Sequence, residues 1–257
     1  MSYFIVGVVA LLASGLTFYS GFGLGTLLLP AFALFMPVEQ AVAATAVVHF
    51  LNGLFKLALV GRRADRAILL RFGLPAIAAS FLGAWCLILL AELDVALEYR
   101  VFGRFWKVEA VKLVVGLLLL GFAAIELAPR LRNRTFGPRW LPLGGILSGF
   151  FGGLSGMQGA LRSAFLSRAG LAKEAFIATG VAIACLIDFT RLGIYASSLS
   201  NGGSRLDLGL LSVAVLAAFA GALLGNRYLK KMTMPGIQRL VAALLFLVAI
   251  GLIAGIL

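Results

Sequence analysis

Long runs of apolar residues dominate this sequence and decide what it can fold into. Charged or proline-containing breaks divide the runs into eight segments, at residues 3–36, 38–60, 67–91, 109–128, 140–168, 172–198, 207–226 and 235–256. A helix of roughly 20 apolar residues crosses the hydrocarbon layer of a bilayer, so segments of this length are candidate spans. The pattern predicts an all-α polytopic membrane protein and excludes a soluble enzyme.

Composition supports the same class. Of the 257 residues, 62% are hydrophobic and 12% are charged, against about 45–50% and about 25% in soluble domains. The net charge of +12 is typical of basic cytoplasmic loops in a membrane protein, so we expect no nucleic-acid partner. Cys86 and Cys185 match no metal or disulfide spacing. We expect them to pack in the core, and we expect no cofactor or metal.

Two segments contain glycine-rich interruptions. Segment 3–36 is interrupted at residues 20–25, and segment 140–168 is interrupted at residues 152–159. Each segment is either one kinked helix or a re-entrant hairpin, in which two short helices meet at a glycine-rich tip.

The loop lysines and arginines distinguish these two arrangements. If all eight segments cross once, the loop cations divide into eight on each side. If the two interrupted segments fold back, twelve lie on one side: Arg62, Arg63, Arg66, Arg130, Arg132, Arg134, Arg139, Arg168, Lys173, Arg227, Lys230 and Lys231. The other side then holds four, namely Arg100, Arg104, Lys107 and Arg205. Because cytoplasmic loops are rich in Lys and Arg, the count favours the hairpins and predicts both termini on the non-cytoplasmic side.

Sparse matches between the halves indicate an internal duplication. Gly15, Gly25, Ala41 and Ala44-Thr45 recur as Gly149, Gly159, Ala175 and Ala178-Thr179, and Asp65, Leu82 and Gly83 recur as Asp207, Leu224 and Gly225. We therefore predict two inverted repeats, each a glycine-broken re-entrant hairpin followed by three transmembrane helices. The first repeat is 1–128 (hairpin 3–36; helices 38–60, 67–91 and 109–128), the cytoplasmic basic linker is 129–139, and the second repeat is 140–257 (hairpin 140–168; helices 172–198, 207–226 and 235–256). Paired helix breaks of this kind point to a transporter site near the bilayer midplane.

The stretch 92–107 carries too many charges for a span. Leu93, Leu97, Val101 and Phe105 recur every four residues, beside Trp106. This spacing predicts a short amphipathic helix that lies in the membrane interface.

Charged side chains inside apolar segments are candidate functional residues, because charge is costly in a bilayer. Arg162 follows the second glycine break, in the first turn of a short helix whose N–H groups already favour an anion. Its guanidinium would either bind an oxyanion or pair with Asp188 or Glu174 as a structural contact. The residues predicted to assist it in the same motif are Ser155, Gln158, Gly159 and Ser163.

Polar residues on two further segments complete the candidate site. His49 and Asn52 share a face of the second segment, where His49 would take up a proton, donate to a substrate or form an interhelical hydrogen bond. Asp188 and Arg191, three residues apart, form either a structural pair or a proton-sensitive gate.

Two other kinds of polar position carry weaker predictions. Thr45 and Thr179 occupy equivalent positions in the two halves, where their hydroxyls either face the pathway or bond to carbonyls of their own helices. Lys56 and Arg71 lie near the ends of their segments, where long side chains reach the interface, so we assign them no function.

Several stretches taken together resemble a known family. They are Gly21-Phe22-Gly23-Leu24-Gly25 through Pro30, Ala43-Ala44-Thr45, Gly152-Gly153-Leu154-Ser155-Gly156, Ala178-Thr179-Gly180, and Asp188-Phe189-Thr190-Arg191-Leu192 with Tyr195. They are similar to motifs of the sulfite exporter (TauE/SafE) family, and the resemblance covers nearly the whole chain. It implies a bacterial inner-membrane transporter of small sulfur-containing anions, built from two related halves. Phe22, Leu24, Met157 and Gln158 depart from the glycine-richer family pattern and bear on the choice of substrate.

These observations predict a secondary transporter for sulfite or an organosulfonate, with transport of another small organic anion as the alternative. The predicted substrate-binding residues are Arg162, Ser155, Gln158, Gly159, Ser163, Gly23, Gly25, Thr45, Thr179, His49 and Asn52; the proton-coupling or gating residues are His49, Asp188 and Arg191. The expected partners are the anion, the lipid bilayer and, for uptake, protons. Expulsion of a monoanion from an inside-negative cell is favoured by about 2.3 kcal/mol per 100 mV and needs no coupling.

One enzymatic alternative arises from Gly153-Leu154-Ser155-Gly156, which matches the G-x-S-G of rhomboid-like serine proteases. That chemistry needs a histidine base beside the serine, and in rhomboids the histidine follows the serine in the chain. Here the only histidine, His49, precedes Ser155 by more than a hundred residues. We therefore expect no enzyme activity.

Overall fold

Helices form most of the computed structural model, which describes residues 1–16, 23–101, 104–128, 135–201, 206–228 and 234–257. The α-helices are α1 (Ser2–Leu16), α2 (Leu24–Ala33), α3 (Val38–Val60), α4 (Arg66–Glu92), α5 (Ala110–Leu127), α6 (Leu141–Ser155), α7 (Gly159–Leu166), α8 (Lys173–Asn201), α9 (Leu208–Tyr228) and α10 (Met234–Ile253). Short 3₁₀ turns lie at Gly61–Arg63 and Pro138–Trp140. Strands β1 (Ala96–Val101) and β2 (Arg104–Glu109) separate α4 from α5.

The membrane character predicted from the apolar segments is confirmed. Among the described residues, four helices are long and apolar enough to cross a bilayer: Val38–Leu59, Arg66–Glu92, Lys173–Ser197 and Leu208–Gly225. Shorter apolar helices lie at Ser2–Gly15, Leu24–Ala33, Ala110–Ile125 and Ala242–Ile253. The protein is therefore an all-α membrane protein apart from its one described hairpin of strands.

A π-helical turn at Leu69–Gly73 interrupts the regular geometry of α4. Pro75 lies two residues after it. A proline lacks the N–H that would bond one turn back, and its ring displaces that carbonyl. The π turn accommodates both effects without ending the helix.

Helix breaks occur at both glycine-rich stretches. Gly23, just before α2, has a φ of 111°, and Gly156, just after α6, has a φ of 79°. Both values lie in the left-handed region that residues with a Cβ rarely adopt. Glycine at these two positions therefore separates α1 from α2 and α6 from α7.

The second broken pair folds back on itself. The backbone N–H of Phe136, just before α6, donates to the carbonyl of Ala164 near the end of α7 at 3.2 Å. The rings of Phe136 and Phe165 stack with centroids 4.4 Å apart, and a Cβ on Gly144 would lie 2.4 Å from the Phe165 ring. The start of α6 and the end of α7 are thus neighbours, and the two helices run antiparallel.

The first helix of each broken pair packs along a helix from the other half of the chain. Helix α1 packs on α9, and α6 packs on α4. A Cβ on Gly149 would lie 2.2 Å from the carbonyl oxygen of Ala76, and a Cβ on Gly225 would lie 2.5 Å from that of Gly15. These backbones touch because glycine occupies the contact positions.

Two further helix pairs complete the packing. Helices α3 and α8, the first long helices of the two halves, pack against each other, and α5 packs on α10. The main core lies among these elements, with residues such as Phe32, Leu119 and Leu245 fully buried. Cys185 is buried and Cys86 is half-buried, as their apolar surroundings indicate.

The aspartates that precede α4 and α9, which the internal duplication predicts to be equivalent, have the same local geometry. Asp65 Oδ1 accepts the backbone N–H of Ile68 at 2.9 Å, and Asp207 Oδ1 accepts that of Leu210 at 3.0 Å. This is the N-cap arrangement that satisfies the first turn of a helix. Asp207 Oδ2 also accepts the Tyr3 hydroxyl at 2.7 Å, and these two donors hold the pKa of Asp207 below its usual value.

The prediction of an amphipathic helix over 92–107 was wrong. Helix α4 ends at Glu92, and β1 and β2 form an antiparallel pair in which Tyr99 faces Trp106 and Glu98 faces Lys107. One face of this hairpin packs on the end of α10, where the Tyr99 hydroxyl donates to the carbonyl of Ala254 at 2.6 Å. Aromatic and β-branched residues that alternate along the chain favour strands over a helix.

Parts of the predicted segments cannot be compared with the structure. Residues 129–134 of the basic linker, residues 17–22 of the first segment (which include the start of its glycine-rich stretch), Arg205, Lys230 and Lys231 lie outside the described residues.

Candidate functional site

The two helix breaks meet in the interior beside α3. A Cβ placed on Gly25, in the first turn of α2, would lie 3.4 Å from the carbonyl oxygen of Gly156 and 3.7 Å from His49 Cδ2. We call this meeting point of Gly25, Gly156 and His49 the glycine junction. Helices α2 and α7 both begin near it, so the positive ends of both helix dipoles lie close to it.

Asp188 is the centre of a hydrogen-bond network at the glycine junction. Its side chain is 0% exposed, and Oδ2 lies 2.5 Å from His49 Nδ1. Oδ1 accepts from Gln158 Nε2 at 3.0 Å, from Arg191 Nε at 3.0 Å and from Arg191 Nη2 at 2.8 Å. Both carboxylate oxygens therefore have donors, which offsets the cost of burying the charge.

Arg191 and Tyr195 cap the end of α6 from α8. Arg191 Nη1 donates to the carbonyl of Gly152 at 3.2 Å, and the Tyr195 hydroxyl donates to the carbonyl of Gly153. The last carbonyls of a helix lack intrahelical partners and form its negative end, where a cation is favoured. Asp188 and Arg191 are in direct contact at 2.8 Å, and Arg191 also bonds to the last turn of α6 before the break at Gly156.

Arg162 connects to this network through Gln158. It is 2% exposed in the first turn of α7, and Nη1 donates to Gln158 Oε1 at 2.8 Å. Its Nε would lie 3.6 Å from a Cβ on Gly180 of α8. Gln158 thus holds Arg162 with its amide oxygen and Asp188 with its amide nitrogen, whereas Glu174 is exposed.

The remaining residues predicted around Arg162 have mixed positions. Ser155 is buried, and its hydroxyl donates to the carbonyl of Phe151 in its own helix at 3.0 Å. Gly159 and Ser163 are half-buried in α7. Gly23 precedes α2 and is buried. Asn52 is buried in α3, where its amide oxygen accepts the hydroxyl of Ser14 at 3.2 Å.

The two threonines predicted to be equivalent differ in their bonding. Thr179 Oγ1 accepts the backbone N–H of Asp65 at 2.8 Å, so it joins α8 to the start of α4. Thr45 Oγ1 is buried and has no hydrogen-bond partner among the described residues. Its Cγ2 would lie 3.8 Å from a Cβ on Gly25, which places Thr45 at the glycine junction.

The prediction that the Lys56 side chain reaches the membrane interface was wrong. Its side chain does not extend to an interface, because the residue is only 8% exposed. Residues 45, 49, 52 and 56 fall on one face of a helix, so Thr45, His49, Asn52 and Lys56 form a polar stripe along α3. Arg71, in contrast, is exposed, as its position near a segment end indicates.

Sequence reasoning missed two hydroxyls in this region as well as Lys56. Ser14 of α1 bonds to Asn52, and Ser148 of α6 donates to the backbone carbonyl of Gln158 at 3.0 Å. Single serines within apolar segments carry no pattern that would identify them. The signal for Lys56 was its spacing of seven residues from His49, which places both on one helix face.

A family model described as Sulfite exporter TauE/SafE matches residues 3–252. The chain belongs to this family. No curated protein and no solved structure matches it. The resemblance inferred from the glycine motifs is confirmed, and this TauE/SafE protein is accordingly a membrane transporter by family.

Proposed function

We propose that this TauE/SafE protein is a secondary transporter of a small sulfur-containing anion, such as sulfite or an organosulfonate, which binds at the glycine junction beside Arg162. The observation that carries the proposal is the burial of Arg162 at 2% exposure in the first turn of α7. A buried guanidinium is costly in a bilayer, and such residues generally mark substrate or ion pathways.

The surroundings of Arg162 suit an oxyanion. The first turns of α2 and α7 leave backbone N–H groups without intrahelical partners, and these groups favour anions. A guanidinium adds donors in a planar fork that matches an oxyanion. The hydroxyl of Thr45 is a further donor that is buried at the glycine junction without a partner among the described residues.

The inverted repeat is part of the proposal, and contacts between distant residues support it. Phe136 with Ala164 and Thr179 with Asp65 lie at ends of helices that the hairpin arrangement puts on one face. If every segment crossed once, each of these pairs would combine residues near opposite faces of the membrane.

Contacts at the other face agree with the same arrangement. Tyr3 bonds to Asp207, and Tyr99 bonds to Ala254. Loop lysines and arginines are more numerous on the face with Asp65 and Thr179, so this face is the cytoplasmic one. Both termini lie on the non-cytoplasmic side of a bacterial inner membrane in this proposal.

Export is the favoured direction, because an inside-negative potential drives a monoanion outward by about 2.3 kcal/mol per 100 mV. Uptake would require a coupled proton. The pair of His49 and Asp188 is suited to carry one, since imidazole changes its charge near neutral pH and His49 Nδ1 already lies 2.5 Å from the carboxylate.

Flux through proteoliposomes tests the proposed function. The wild-type protein should move labelled sulfite, and Arg162→Ala should lower the flux at least about tenfold, because a buried anion site would lose its cation. Arg71→Ala is the matched control, since Arg71 is exposed on α4, and it should transport at the wild-type rate. A folded Arg162→Ala protein with unchanged sulfite flux would refute the site. Preference for acetate over sulfite and methanesulfonate would instead favour the alternative of an organic-anion transporter.

A further inference from the structure

Gln158 lies between two buried charged side chains of opposite sign. The residue is 1% exposed. Its amide oxygen accepts from Arg162 Nη1 at 2.8 Å, and its amide nitrogen donates to Asp188 Oδ1 at 3.0 Å. A guanidinium can only donate hydrogen bonds, and a carboxylate can only accept them. An amide carries an acceptor and a donor side by side, so the two partners together fix its orientation.

The backbone around Gln158 also holds the residue in this position. Its main-chain carbonyl accepts the hydroxyl of Ser148 and the backbone N–H of Arg162, each at 3.0 Å. A Cβ on Gly152 would lie 3.0 Å from Gln158 Cβ and 2.9 Å from Ile187 Cγ2. Glycine at position 152 therefore leaves the space that the Gln158 side chain occupies between α6 and α8.

The amide separates two charges that attract each other. Its two hydrogen bonds leave Arg162 Nη1 and Asp188 Oδ1 no more than about 8 Å apart, and the two charges interact. Opposite charges attract strongly where water is excluded. Among the described residues, the direct ion-pair partners of Asp188 are His49 and Arg191. Arg162 therefore reaches this carboxylate through the amide of Gln158 and not by direct contact.

We infer that Gln158 is a positioning residue of the substrate site, whose amide holds the Arg162 guanidinium away from Asp188 and keeps it oriented as an anion ligand. This inference rests on the proposed function. It gives Gln158 a role through Arg162 in place of a contact with the substrate. Without the amide, the attraction between the two charges draws Arg162 toward Asp188, and the guanidinium then donates to the carboxylate instead of to a bound anion.

Sulfite flux through proteoliposomes, measured as a function of sulfite concentration, tests this role. Gln158→Met has a side chain of similar length that bonds to neither partner. Its KM should rise at least about tenfold and its Vmax should stay within about twofold, because Arg162 loses a charge-assisted hydrogen bond that places it. Gln40→Met is the matched control, because Gln40 is half-buried in the first turn of α3, about 13 Å along the helix from His49. It should keep the KM of the wild type. Gln158→Asn keeps the amide on a shorter side chain that cannot span both partners, so it replaces Gln158→Met if that variant does not fold and should also raise the KM.

A double variant separates positioning from direct contact with the anion. In an Arg162→Ala background, Gln158→Met should lower the initial slope of flux against sulfite concentration by no more than about twofold, because residues that act through one group are not additive. A further loss of about tenfold in that background would show that Gln158 contacts the anion itself, and it would overturn the inference. A lower Vmax with an unchanged KM would show a merely structural role, and wild-type kinetics in a folded Gln158→Met protein would show no role. Both results would overturn the inference and leave the proposed function standing. A wild-type protein that does not transport sulfite would overturn both.

Discussion

Thr45 and Thr179 show that two buried threonines can have different effects on stability. Thr179→Val removes the acceptor for the backbone N–H of Asp65, and a donor left without a partner costs about 1 kcal/mol or more. Thr45→Val removes a buried hydroxyl that has no partner among the described residues. We expect Thr179→Val to be less stable than the wild type, and Thr45→Val to be as stable or more stable.

Denaturant unfolding in detergent measures this difference, and each threonine variant is the control for the other. Stabilisation by added sulfite should fall in Thr45→Val if its hydroxyl serves the substrate. Equal destabilisation by the two substitutions would show that the Thr45 hydroxyl has a partner in the folded protein.

Individual site residues were predictable where a charge or a glycine stood inside an apolar segment. Arg162, His49 and Asp188 are recognisable for this reason, since few such residues occur at membrane depth. Which of them would bond to which was not predictable, because Gln158 joins Arg162 to Asp188 across two helices. Lys56 was missed because its distance from a segment end does not reveal which side of α3 is buried.

The glycines of α6 act on the packing of entire helices. Gly149→Ala would place a methyl group 2.2 Å from the carbonyl oxygen of Ala76, so α6 and α4 would have to separate. Overpacking of this kind costs about 1–3 kcal/mol. Gly121→Ala in α5 is the matched control, because nothing lies within 4 Å of its added Cβ, and it should gain up to about 1 kcal/mol of helix propensity.

The midpoint of thermal unfolding in detergent compares the two variants. We expect Gly149→Ala to unfold below the wild type and Gly121→Ala at or above it. If Gly149→Ala has the same midpoint of thermal unfolding as the wild type, the close approach of α6 and α4 is not a tight contact.

The hairpin of β1 and β2 shows where periodicity misleads. Leu93, Leu97, Val101 and Phe105 recur every four residues, but positions separated by four also share a face of a strand, since the strand period is two. The stretch therefore satisfied both patterns. The alternation of Leu97, Tyr99 and Val101, with Gly103 as a residue typical of tight turns, was the signal that favoured strands.

The transmembrane arrangement can be tested by cysteine accessibility in intact cells. In a background with Cys86 and Cys185 replaced by alanine, single cysteines are placed at Ala64, Ala172 and Val95. The hairpin arrangement predicts that Ala64→Cys and Ala172→Cys react with a membrane-impermeant maleimide only in permeabilised cells. Val95→Cys should react in intact cells. Eight plain crossings would put positions 64 and 172 on opposite sides, so different accessibility of these two cysteines would reject the hairpins.

Fold class followed from the sequence because hydrophobic segments of this length have few alternatives in a bilayer. The packing of α1 on α9 and of α6 on α4, each pair from different halves of the chain, could not be predicted from the sequence. Contacts such as Gly149 with Ala76 and Gly225 with Gly15 depend on the shapes of two distant surfaces, and a single sequence shows the small residues without showing which helix they face.

The packing of α1 on α9 also limits the order in which the helices can assemble during synthesis. The Tyr3–Asp207 bond joins residues 204 positions apart, and α1 finds its main neighbour only when α9 has been synthesised. At translation rates of about 5–20 residues per second, this takes roughly 10–40 s. During that interval the glycine-lined groove for α1 does not yet exist, so the nascent chain has an unpaired helix in lipid. Ribosomes that stop before Gly225 would release a product without this contact.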